Sequence, residues 1–183
     1  MIAIMSGGLI ESLATLPSRT RMFAAGQPLF HRGDRVVALY RIESGTVNLQ
    51  RFTADGDAAV MQRATAGDLL AEASIFSERY HCDALAKEPV SARRFDMVEV
   101  RRLLEQQPAF AAALAQHLAR EVMHMRSRSE IAALRTVQAR LDAWLALNDD
   151  QLPPAGKRVE LARELGVSPE ALYRELARRR ARP

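Results

Sequence analysis

The sequence predicts an α+β protein in which an antiparallel β-region leads into one long helix and then a small helical module. Three observations carry that reading. From about residue 20 to 95 the chain is a series of short apolar or alternating runs (GQPLF, VVALYRI, GTVNLQRF, AVMQRA) separated by glycine and turn residues, the texture of strands in a sandwich or barrel. After Pro108 neither glycine nor proline recurs before Pro153, and the stretch between is rich in Ala, Leu, Arg, Glu and Gln, which favour helix. The last segment, RVELARELGVSPEALYRELARRR, holds the cap and turn signals of two short helices.

Composition narrows the function classes. A chain of 183 residues with 48% hydrophobic and 26% charged residues is neither disordered nor a disulfide scaffold. Cys82 is the only cysteine, which excludes an intrachain disulfide and an iron–sulfur cluster held by several cysteines of one chain. No apolar run approaches the roughly 20 residues of a membrane span. The start, MIAIMSGGLIESL, lacks the basic stretch and long apolar centre of a signal peptide. A cytoplasmic protein is expected. The net charge of +4 is unevenly spread, because residues 157–183 hold eight Lys/Arg against four Glu while the remainder is balanced. A polyanion-binding end is the natural reading.

In chain order, a helical lead-in around IESLATL precedes the strands. VNLQRF (residues 47–52) alternates as a half-exposed strand does, and Asp55-Gly56 suits a hairpin turn because glycine accepts positive φ. Asp96 caps a short helix, MVEVRRLLEQQ, that Pro108 ends or restarts. The long helix is expected to run from there to about Leu147, with Phe110, Leu114, Leu118, Val122 and Met125 in one apolar stripe. A second copy of the chain is the expected cover for that stripe, and the chain's own β-region is the alternative. Residues 148–156 (NDDQLPPAG) read as a turn-rich linker.

In the final module, Leu161, Ala162 and Leu165 share one helical face, Gly166 permits a sharp turn and Val167 fills the angle. Ser168 caps the second helix, with Pro169 at its first position and Glu170 in its first turn. Leu172 and Leu176 face inward, so the spacing is that of a helix-turn-helix. Ser168, Glu170, Tyr173 and Arg174 then occupy the exposed half of a recognition helix, where an arginine pairs with guanine and a glutamate accepts from cytosine. Arg178, Arg179, Arg180 and Arg182 are expected on phosphates. Double-stranded DNA is the expected partner, and a solvated hairpin with a basic tail is the alternative.

The residues LFHRGDRVVALYRIESGTVNLQRFTADGDAAVMQRATAGDLLAEASIFSERYHCDALA resemble the cyclic-nucleotide-binding domain of the Crp/Fnr regulators. Gly33-Asp34, Ser44-Gly45, Gly67-Asp68 and residues 70–84 carry the likeness most specifically. The resemblance implies a jelly-roll-type antiparallel β-roll sensor over residues 1–107, a dimerisation helix and hinge over 108–147, and a helix-turn-helix over 148–183. It implies a homodimer whose β-roll controls transcription through the DNA-binding heads. Past the second helix, where the family continues into a β-hairpin wing, this sequence reads only to Pro183, a shortened head.

Ligand residues carry over only in part. Where cyclic AMP binders have glycine-glutamate and then arginine, serine or threonine, and alanine, this chain has Ala71-Glu72 and Cys82-Asp83-Ala84. Loss of the arginine and gain of a carboxylate argue against cyclic AMP. Glu72, Ser74, Cys82 and Asp83 are the candidate pocket residues for another small-molecule effector. No resident cofactor or metal is expected, with haem on His81 or Cys82 as the alternative. A cupin-like enzyme is disfavoured, because the β-region offers only His31 and His81 as imidazole ligands. The second functional reading is a dimeric ligand-binding signalling module whose head no longer binds DNA.

Overall fold

A computed structural model describes residues 7–52, 55–56 and 58–181. The chain divides into two compact units between Leu118 and Ala119.

The first unit is the β-roll. Helix α1 (Gly7–Ala14) is followed by β1 (Ser18–Phe23), β2 (Pro28–Phe30), β3 (Ala38–Ser44), β4 (Val47–Phe52), β5 (Ala58–Ala64), β6 (Leu69–Leu70), β7 (Asp83–Ala86) and β8 (Val90–Asp96). These form two antiparallel four-stranded sheets, ordered β1-β8-β3-β6 and β2-β7-β4-β5. The strands fill the core: Ala38, Leu39, Tyr40 and Ile42 from β3, Val47 and Leu49 from β4, and Ala84 and Ala86 from β7 are all buried. Leu9 and Leu13 of α1 join the same core. At one end Phe30 and Tyr80 stack with ring centroids 3.9 Å apart. The Tyr80 hydroxyl donates to the Ala38 carbonyl and accepts from the Val37 and Ala38 amides, so its polar end is satisfied inside the roll. Between β3 and β4, Gly45 sits at φ +83°, and a Cβ there would lie 2.4 Å from the Pro89 carbonyl oxygen. The expected hairpin joins β4 to β5, with Gly56 at φ +86°.

Asp96 caps α2 (Met97–Gln106) by accepting the Val98 amide, as the sequence predicts. Pro108 opens α3 (Pro108–Ala133). The apolar stripe on α3 divides in two. Phe110 and Leu114 are buried in the β-roll core and Leu118 packs on it, while Val122 and Met125 are exposed. The first half of the stripe is therefore covered by the chain's own β-domain.

The helix also stops earlier than its composition suggests, at Ala133 instead of Leu147. Thr136 adopts an extended conformation and its hydroxyl accepts the Ala139 amide, so it caps a new helix, α4 (Val137–Ala146). Leu141 is fully buried with Leu161, Ala162, Leu165, Leu172 and Leu176. The core of the C-terminal unit thus takes in Ile131 and α4 as well as α5 (Arg158–Glu164) and α6 (Pro169–Arg180). Burial of Leu141 against the helical hairpin is the gain that breaks the helix, and no propensity scale contains it.

Candidate functional site

The hairpin of the C-terminal unit forms as its residues dictate. Gly166 takes φ +63° after α5, and Ser168 accepts the Ala171 amide at 3.2 Å to cap α6, with Pro169 in its first turn. Leu172 and Leu176 face the core, leaving Ser168, Glu170, Tyr173, Arg174, Arg178 and Arg180 exposed. Glu170's own amide and the Ser168 hydroxyl hold its carboxyl below the usual range. The N-terminal half of α6 therefore presents a hydroxyl, a carboxylate, a phenol and a guanidinium on one exposed face.

Arg178 and Arg179 are employed differently from the phosphate contacts expected of them. Glu175, buried on α6, pairs with Arg178 at 2.7 Å and Arg179 at 3.0 Å. Arg179 also reaches Asp142 at 2.6 Å and the Gln138 carbonyl, while Arg178 donates to the Gln138 side chain at 2.7 Å. Burial works against Arg179's charge, but Asp142 and Glu175 outweigh it and raise its pKa. These two arginines tie α6 to α4. Arg180 remains exposed for an external anion, and Arg182 lies outside the described residues.

A second brace was not legible in the sequence. Arg140 donates to four carbonyls: Ala132 at 2.9 Å and Leu134 at 2.8 Å, at the end of α3, and Leu165 at 3.0 Å and Gly166 at 2.9 Å, in the turn of the hairpin. One guanidinium thus holds the turn that launches α6 against the end of α3.

In the β-roll, Glu72 and Ser74 lie on a single 3-10 turn that Ala71 enters in the left-handed region, at φ +73°. The Ser74 hydroxyl is 3.3 Å from His81 Nδ1. Cys82 is buried, and burial chiefly pushes its thiol up to about 11, with Asp83 and Glu72 adding to the rise and Arg51 opposing it. The His81 imidazole is lowered by burial and by Arg51. Asp83 accepts the Arg32 amide and faces His31 Nδ1, both at 3.1 Å. The fold groups Glu72, Ser74 and Cys82, while Asp83 is committed to the loop after β2. A buried, protonated thiol is a poor redox centre and a poor axial ligand. Among the described residues no group of three or more His, Cys, Asp or Glu is placed to hold a metal ion.

Residues 20–107 match the cyclic nucleotide-binding domain model. The chain is 28% identical over 160 residues to the cyclic AMP receptor protein of Thermus thermophilus, covering 85% of this chain and 74% of that protein. Residues 20–107 are thus a cyclic nucleotide-binding domain, homologous to that of the cyclic AMP receptor protein, in a chain structurally close to Crp/Fnr regulators. Among solved structures, FixK2 from Bradyrhizobium japonicum matches 89% of this chain and 84% of its own, with a TM-score of 0.68 at 18% identity. The sensor domain of the transcriptional regulator DNR from Pseudomonas aeruginosa matches 71% of this chain and 89% of its own, with a TM-score of 0.55 at 25% identity. These relatives support a regulatory role. Among the described residues no helix is long and apolar enough to cross a membrane.

Proposed function

We propose that this Crp/Fnr chain is a homodimeric transcription regulator that reads DNA with α6, under the control of a β-roll whose effector is not cyclic AMP. The observation that carries the proposal is the division of α6: a buried face of Leu172 and Leu176, and an exposed N-terminal face of Ser168, Glu170, Tyr173 and Arg174. That face has the size and chemistry to enter a major groove, with Arg174 directed at a guanine and Arg180 at the backbone. The excess positive charge of residues 157–183 supplies the non-specific attraction. Exposed Val122, Met123 and Met125 on α3 give a second copy an apolar surface to cover.

Fluorescence anisotropy on a random duplex at two salt concentrations tests the proposal. Binding that weakens steeply with salt is expected; absence of retention at low salt refutes DNA binding and leaves the dimeric signalling module. Arg174→Ala is expected to relax preference at one base pair by roughly 10- to 100-fold with the fold intact.

A further inference from the structure

The β-roll places an arginine of β4 beside the start of β7. On β4, Gln50, where the pairing with β5 shifts register, is buried, and so are Val47 and Leu49, opposite Ala86 and Ala84 of β7. The next position of the same parity is Arg51, paired with Ala59 of β5 and following on from the Gln50–Asp83 pair. Cys82 shares the parity of Ala84, so Arg51 and Cys82 belong to one face. The Arg51 Nε donates to the His81 carbonyl at 2.9 Å, which fixes the guanidinium beside the start of β7 and next to the turn bearing Glu72 and Ser74. The side chain is exposed.

A guanidinium anchored through Nε keeps its two terminal nitrogens as a planar fork suited to an oxyanion. We propose that Arg51 is the anion-gripping residue of the sensor, and that the effector carries a phosphate or carboxylate group bound by it. The neighbouring strand thereby supplies the cation that position 82 lacks. Independent signs of its reach are the lowered His81 and its opposition to the rise of the Cys82 thiol. This inference rests on the reading of the β-roll as an effector site and names the chemistry of that site.

Melting of the full chain, followed by far-ultraviolet circular dichroism at constant ionic strength, tests it with three probes: inorganic phosphate, acetate and cyclic AMP. Wild type is expected to show a saturable rise in melting temperature with phosphate or acetate, and which of them saturates at lower concentration tells a phosphate ligand from a carboxylate one. Arg51→Gln is expected to weaken the apparent affinity by roughly 10- to 100-fold, and Arg51→Lys by less, since charge is kept and the fork is lost. A saturable rise with cyclic AMP that needs Arg51 extends the site to cyclic nucleotides and overturns the exclusion of cyclic AMP. No saturable rise with any probe, or a rise unchanged in Arg51→Gln, overturns the proposal. Duplex binding by Arg51→Gln without effector separates the two readings: wild-type retention leaves the regulator standing even when the Arg51 site fails.

Discussion

Replacing Arg140 with alanine is expected to unfold the C-terminal unit while sparing the β-roll. The guanidinium donates to four carbonyls, of which Leu134 and Leu165 receive their bonds in part-buried surroundings. Hydrogen bonds from a charged donor contribute about 1.5–3 kcal/mol each. The two exposed acceptors, Ala132 and Gly166, are re-solvated when the side chain is lost. Counting only the part-buried pair, Arg140→Ala costs on the order of 3–5 kcal/mol. A unit the size of residues 119–183 has roughly 3–10 kcal/mol to lose. Trp144 is the only tryptophan, and its indole donates to Glu164 at 2.8 Å across the α4–α5 contact, so its fluorescence reports this unit alone. With a urea slope near 1 kcal/mol per molar, the tryptophan-detected midpoint is expected to fall by about 3 M or more, or the folded baseline to vanish. The β-sheet transition followed by circular dichroism should stay where it was. A tryptophan midpoint within about 0.5 M of wild type would refute the brace.

Glu175→Gln leaves two guanidiniums facing a neutral amide on a residue that is 8% exposed; a loss of about 1–3 kcal/mol in the same tryptophan-detected unfolding is expected, and no loss would mean the α4–α6 pairs are idle. Cys82, with its thiol near 11, holds roughly a hundredfold less thiolate than an ordinary cysteine, so iodoacetamide at pH 8 should label native protein at least that much more slowly than unfolded protein. The sign of the linked stability is fixed too: a thiol raised by folding favours the native state below the ordinary cysteine pKa and loses that contribution as pH climbs through 11. Ala71→Gly should raise the β-roll's stability by about 0.5–1 kcal/mol by relieving the φ of +73°, measured by urea unfolding; a decrease would show that the alanine side chain packs favourably enough to outweigh its backbone strain.

What the sequence disclosed was what it encodes locally. Asp96 and Ser168 act as caps because the amides they bind lie two and three residues away, and the β4 strand occupies the alternating run 47–52. Composition alone overextends α3, because Thr136 is an unremarkable residue until Leu141 is buried beyond it. Arg140 reaches carbonyls up to 26 positions away and Arg179 an acid 37 away, distances at which spacing carries no information. Arg51 shares the parity of Val47 and Leu49, but the strand's alternation ends at buried Gln50, so spacing alone does not single it out. Asp83 misled for the opposite reason. Its neighbour Cys82 turns inward, and the pleat alone sends the carboxylate to His31.

The pairing of β1 with β8 and β2 with β7 joins the first two strands of the roll to the last two. During synthesis β2 must therefore wait, unpaired, until residue 86 has cleared the ribosome and β1 until residue 96, and only then can both sheets close. The C-terminal unit is made of neighbouring helices and closes by local contacts once it emerges. A truncation or pause before β8 would thus leave β1 without a partner and β3 held by β6 alone, so one whole sheet of the roll hangs on the last strand to be made.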